Sequence, residues 1–131
     1  MDPFDRDQFY QVLQSYAKTE EFQWCLSLAA QLTPDDTLIT LGNSLEAHRS
    51  VVISIACFAN APDSYVRAIS HVVSMGDDTD TLAAMAGAIA GARLAIRSVP
   101  EHLLALLEDE HKGRSYIELL AADLHGKVAR A

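Results

Sequence analysis

A chain of 131 residues, half of them hydrophobic, can close a core and is not a disordered tail. Its net charge of −8, with no Lys/Arg stripe to offset it, argues against nucleic-acid binding through a basic footprint, although a metal ion could still recruit a phosphorylated small molecule. Abundant alanine with few aromatics, glycines and prolines points to a helical protein rather than a sandwich or barrel. Met1-Asp2-Pro3-Phe4-Asp5 has neither a basic n-region nor an apolar h-region, and the longest charge-free apolar run, Leu82 to Ala92, is too short to span a bilayer. A soluble, cytoplasmic protein with no membrane association is the expectation.

In chain order, Phe9, Val12, Leu13 and Tyr16 recur at helical spacing after Asp5, which suits an N-cap. A second helix is expected from about Glu20 to Leu32, with Phe22, Cys25, Leu26 and Ala29 on one face, ended by Thr33-Pro34-Asp35-Asp36. Gly42-Asn43-Ser44 forms a turn that can start a helix from about Leu45 to Ala59. Asn60-Ala61-Pro62-Asp63 ends it, and Asp63 can cap the next helix, through Val73, which Gly76 stops. A long helix follows from about Thr79 to Arg97, then a short one from Pro100 through Leu107 and a last one from about Ser115 to Arg130. No stretch alternates with period two for long enough to make a strand, and there is no internal repeat. The expected fold is all-α, a single helical domain over residues 1–131. Cys25 and Cys57, inside apolar helical stretches, are expected as buried reduced thiols. Trp24, Tyr65 and Tyr116 read as packing groups, the five histidines as surface or helix-end residues, and Ser50 and Ser54 lack a partner that would make either a nucleophile.

The helix after Asp80 stands apart. Ala83, Ala84, Ala86, Gly87, Ala88, Ala90, Gly91 and Ala92 surround it with small side chains. Two mid-helix glycines cost about 1 kcal/mol each relative to alanine, so close approach of neighbouring helices should offset them. A helix apolar on nearly all sides belongs inside a bundle, and Leu82 to Ala92 is expected to be the most buried helix. Just before it, Asp78, Thr79, Asp80 and Thr81 gather two carboxylates and two hydroxyls, donors suited to a hard cation such as Mg2+. Helix capping is the competing explanation, because Asp and Thr favour helix starts. Yet Asp77, Asp78 and Asp80 repel one another unless a cation sits among them. Spacing alone leaves both explanations open.

The segment Gly76-Asp77-Asp78-Thr79-Asp80-Thr81, running into Leu82-Ala-Ala-Met-Ala-Gly-Ala-Ile-Ala-Gly-Ala92, resembles the ADP-ribosylglycohydrolase signature, Gly-Gly-Asp-Thr-Asp-Thr before a small-residue helix. Upstream, Leu41-Gly42-Asn43-Ser44 with Ala47 and Ser50-Val51 is similar to the family's Leu-Gly-Asn-Gly element, and Val99-Pro100 also matches. The specific likeness covers about Leu41 to Pro100, with its closest look to the branch acting on poly(ADP-ribose) or serine-linked ADP-ribose. It implies an orthogonal helical bundle, here its C-terminal portion, that holds two Mg2+ ions in the complete site, with Mn2+ as a possible substitute. Asp78, Asp80 and Thr81 would be metal ligands, Asp78 and Asp80 catalytic, and Asn43 and Ser44 would lie at the ADP-ribose site. The implied reaction is hydrolysis of the glycosidic bond between ADP-ribose and a protein or other acceptor.

Two local departures stand out: Asp77 replaces the family's second Gly, and Ser44 the second Gly of Gly-Asn-Gly. The larger departure is length. Family members are more than twice as long, and their N-terminal half supplies a second Asp-Asp-Thr cluster. Asp35-Asp36-Thr37 mimics that cluster, but its position just before Asn43 favours a plain helix start with Asp35 as N-cap. Asp2 to Arg6 reads like an internal piece of the family, so Met1 is expected to be an internal start or a truncation. The expected partners are ADP-ribose or an ADP-ribosylated substrate, together with a second copy or a chain supplying the missing half. The alternative is a non-catalytic helical binding module derived from a truncated family member.

Overall fold

The protein, in a computed structural model describing residues 2–42, 46–76 and 78–129, is built from helices, and no strand occurs among the described residues. The chain divides into two compact units, Met1–Val99 and Pro100–Ala131. The first holds α1 (Arg6–Tyr16), α2 (Glu20–Gln31), α3 (Pro34–Leu41), α4 (Ala47–Asn60), α5 (Tyr65–Ser74), α6 (Thr79–Leu94) and a 3-10 turn (Ile96–Ser98). The second holds α7 (Glu101–Leu104) and α8 (Arg114–Val128).

Local chemistry sets the starts. Asp5 accepts the Gln8 N–H at 2.9 Å, Thr19 caps α2 on Phe22 N–H, and Ser64 caps α5 on Arg67 N–H. Ser64 thus takes the role expected of Asp63, because it lies directly before the first helical residue. At Thr33-Pro34 the chain does not simply break. Pro34 sits at the first helical position, where its missing N–H costs nothing, and begins α3. The cap is Thr33 rather than Asp35: its Oγ1 accepts the Asp36 N–H at 3.2 Å and donates to Asp36 Oδ2 at 2.7 Å. The three residues of the Asp-Asp-Thr run all have structural partners. Asp35 Oδ1 meets His71 Nε2 of α5 at 2.9 Å, and buried Thr37 donates to Thr33 O.

The core forms around α4. Its residues Val52 to Ala59 are all buried, and it packs against α2, α3, α5 and α6. From α2 come Cys25, Leu26 and Ala29, as the spacing predicts. From α1 comes Tyr10, a residue outside the Phe9/Val12/Leu13/Tyr16 set, while Val12 and Tyr16 are exposed. Phe4 and Phe9 each meet Phe58 edge to face and pack tilted against one another, at centroid separations of 5.2 to 5.7 Å, and close the end of α4. Cys25 and Cys57 are buried free thiols, and burial pushes Cys57 up to about 12, so it stays an unreactive thiol. Trp24, by contrast, lies 59 % exposed.

The small-residue helix is not the most enclosed one. Only Leu82, Ala86 and Ala90 of α6 are buried, on one face at i, i+4, i+8, while Ala84, Ala88 and Ala92 are exposed. Small side chains permit close approach from any side but do not demand it. The helix also ends sooner than Arg97, at Leu94, where Ala95 takes φ 61° and turns the chain out. Of its two glycines, only Gly87 has a tight neighbour: a Cβ there would meet Tyr65 Oη at 3.3 Å and Ile69 Cδ1 at 3.4 Å, whereas Gly91 has nothing within 4 Å. Two substitutions should therefore act in opposite directions in chemical denaturation. Gly87→Leu overpacks the α5–α6 contact and should destabilise by about 1–3 kcal/mol. Gly91→Ala should stabilise by up to about 1 kcal/mol, the helix-propensity difference.

In the second unit, the loop residue Asp109 reaches the start of α8, taking the Ser115 N–H on Oδ1 and the Ser115 hydroxyl on Oδ2, both at 2.6 Å. Gly113 precedes the helix because a Cβ would collide with Glu108 O at 2.5 Å. The Ser115 hydrogen bonds hold the Asp109 carboxyl below its ordinary 3.8. A depressed carboxyl pKa contributes stability in full above the unfolded value, and that contribution fades as pH falls through the lower folded value. Amide protection factors across the first turn of α8, corrected for the intrinsic exchange rate, should thus fall on acidification below about pH 4 in the native chain, and an Asp109→Asn variant should lack that acid step.

Candidate metal centre

The acidic segment lies between α5 and α6. Gly76, at φ +79°, turns the chain out of α5 in a conformation that glycine adopts without strain. Asp78 then occupies the N-cap position of α6, and its carbonyl accepts the Leu82 N–H at 3.1 Å. Its carboxylate makes no capping bond to the helix. Asp80 satisfies one helix-start donor itself, taking the Thr81 N–H on Oδ1 at 3.0 Å. A hydrogen bond to the Asp78 side chain, reinforced by the Thr81 N–H, holds the Asp80 carboxyl below its usual value. The two carboxyl groups therefore stand near each other at the start of one helix. Two carboxylates so placed repel once both are ionised unless a cation lies between them.

Asp78 is half-buried, and Asp80 and Thr81 are exposed on the same turn. Asp77 and the expected ADP-ribose-site residues Asn43 and Ser44 lie outside the described residues. Among the described residues, no three His, Cys, Asp or Glu side chains stand together as a ready metal cage. The donors that do stand together, two carboxylates with a neighbouring threonine hydroxyl, are the hard-oxygen set that Mg2+ takes with one or two carboxylates and several waters.

The starts of α4 and α6 lie toward the same end of the first unit. Ser54 of α4 contacts Leu82 of α6, and further along both helices Phe58 lines the same groove as Ile89 and Ala92, so α4 and α6 run in the same direction. The start of α4 is consequently on the side where Asp78 and Asp80 sit. Arg49, in the first turn of α4, donates to Leu41 O at 2.7 Å and pairs with Glu46 at 2.8 Å, linking the end of α3 to the residue before α4. An open groove of about 630 Å3 between Phe4, Phe9, Val12, Ile89 and Arg93 lies at the opposite end of α6, away from the acidic pair.

Sequence reasoning overlooked two residues that shape this end: Arg49 and Ser54. A single hydroxyl among the apolar residues Val51 to Ala59 was the available signal for Ser54, since a buried polar group must find a partner. Its partner, the Leu82 carbonyl, is 28 positions away, and nothing local announces it. A model of the ADP-ribosylglycohydrolase family matches residues 4–131. The chain belongs to this family. It is similar to ADP-ribosylhydrolase ARH3 of Homo sapiens, 36% identical over 106 residues, a match covering 73% of this chain and 28% of the human protein. The Bos taurus ARH3 is 36% identical over 104 residues, covering 72% of this chain and 27% of that protein. The Gallus gallus ARH3 is 41% identical over 76 residues, covering 50% and 21% respectively. The match to these curated relatives thus spans less than a third of their length. No solved structure matches the chain. Among the described residues, no helix is long and apolar enough to cross a membrane.

Proposed function

We propose that the protein hydrolyses the glycosidic bond between ADP-ribose and an acceptor in a Mg2+-dependent reaction, and that this chain contributes the metal-ligand half of the site. The observation that carries the reading is the close Asp78–Asp80 pair, in which the Asp78 carboxylate is left free of helix capping. Asp78 and Asp80 would hold Mg2+ through their carboxylates and Thr81 through its hydroxyl. When bound, the cation supplies positive charge for the ADP-ribose hydroxyls and lowers the cost of activating water. Either carboxylate can accept a proton as water adds to the anomeric carbon and the acceptor departs, with charge spread as in other glycoside cleavages. Asn43 and Ser44 belong to the ADP-ribose side of the site in this proposal, supported by the shared end of α4 and α6. The similarity to ARH3 proteins supports the substrate class.

Titration with Mg2+ or Mn2+, followed by water-proton relaxation and thermal shift, tests the reading. The native chain should saturate at about millimolar cation, weakly because it offers few ligands. Asp80→Ala should lose the response while keeping its helical content. Identical titrations for both would reduce the segment to a helix start and favour the non-catalytic helical module. Metal binding without hydrolysis of an ADP-ribosylated substrate would support the half-site, with further carboxylates needed from elsewhere.

Self-association or a partner chain belongs to the same proposal. Ile117, Leu120, Leu124 and Val128 recur along one side of α8, and all four are exposed. Such a stripe favours a covering surface. Sedimentation equilibrium should show a concentration-dependent mass; a monomer across the whole accessible range would exclude self-association.

A further inference from the structure

We propose that Ser54 is a positioning residue for the acidic pair, holding the first turn of α6 against the middle of α4. The inference rests on the metal-site reading above. Ser54 is 0 % exposed, in the middle of the most enclosed helix. Its hydroxyl is placed to donate to two carbonyls, Ser50 O at 3.0 Å within α4 and Leu82 O at 3.2 Å across the helix interface. Leu82 is the residue whose N–H bonds the Asp78 carbonyl at 3.1 Å. The Asp78 carbonyl is thus bonded by Leu82, whose own carbonyl shares the single Ser54 hydroxyl proton with Ser50 O, in the turn that opens α4.

The rest of the α4–α6 interface cannot supply this direction. On α6 the core-facing side offers Leu82, Ala86 and Ala90 with half-buried Ala83, Met85 and Ile89 beside them, apolar groups that pack closely but carry no directional bond. A hydroxyl-to-carbonyl bond is directional, and in a dry interface it resists both movements. The clamp sits one turn behind Asp78 and Asp80, so a small rotation of α6 at Leu82 would swing the carboxylates relative to the Gly42 turn. Both carbonyls also lie in helices and are positioned to accept helix N–H bonds, so the hydroxyl is not needed to prevent a buried orphan. Its effect is on geometry more than on the satisfaction of polar groups.

The test compares the native chain with Ser54→Ala, Ser54→Thr and Ala90→Gly, the last loosening the far half of α6 without touching the clamp. Mn2+ affinity is read by water-proton relaxation and, without metal, exchange protection of the Leu82 amide by NMR. Ser54→Ala should bind Mn2+ about 10-fold more weakly, the range seen when a group supporting metal ligands is removed, with the unfolding midpoint nearly unchanged. It should also lose protection at Leu82, and Ser54→Thr, which keeps the hydroxyl, should recover both. Equal Mn2+ affinity in native chain and Ser54→Ala would overturn the inference. So would an equal loss in Ala90→Gly, which would mark a general loosening, or unaltered Leu82 exchange in Ser54→Ala. Failure of every version to bind Mn2+ would overturn the metal-site reading itself and the positioning role with it, whereas native binding with an indifferent Ser54→Ala would overturn only the clamp.

Discussion

The enclosure of α4 is the constraint on which the rest of the first unit depends. Eight consecutive residues, Val52 to Ala59, are shut away from water on every side of the helix. A helix can accept such surroundings because its backbone bonds are internal, but its side chains then have to be apolar, small or individually satisfied. Cys57 answers by remaining a neutral thiol, and Ser54 by bonding two carbonyls. The flanking helices α2, α3, α5 and α6 each bring one apolar face to this rod, so their orientations follow from it. The loop between α5 and α6 is therefore strung between two helices that both lean on the same support.

That arrangement separates rigidity from chemistry. The groups that fix the acidic turn, Ser54 and Leu82, are buried, while Asp80 and Thr81 face outward and Asp78 lies between these extremes. Carboxylates at a helix start enjoy the positive end of the helix dipole, which softens their mutual repulsion by a fraction of what a cation would. Two adjacent carboxylates held on a well-packed scaffold are the kind of local conflict that functional sites tolerate. The family match spans residues 4–131, and this segment lies within it.

Much of this was legible in the residues, and the misses have physical reasons. Asp5 and the faces of α2 could be read because a cap and its helix lie within a few positions. The pairing of Asp78 with Asp80 could be read for the same reason. The start of α3 was placed at Asp35 rather than Thr33, because Thr33-Pro34 stops one helix and starts another, and the two uses of proline look alike in sequence. The enclosure expected of α6 fell instead to α4: an alanine-rich surface says how near a neighbour can come, not how many neighbours there are. Apolar spacing on α1 misjudged Val12, Tyr16 and Tyr10 because only three-dimensional packing decides which edge of a helix faces the rod. The Ser54–Leu82 bond lay beyond any local pattern.

Arg93, at the end of α6, has a consequence for how the chain comes together. Its guanidinium donates to Asp2 O at 2.9 Å and Pro62 O at 3.2 Å, pairs with Asp63 and lies 5.3 Å from the centre of the Phe4 ring. The stretch that leads into α1 is thus anchored by a residue 91 positions further on. Closure of the first unit therefore rests on a contact between segments far apart in the chain: until α6 is in place, Phe4 and the ring cluster around Phe58 lack one of their partners.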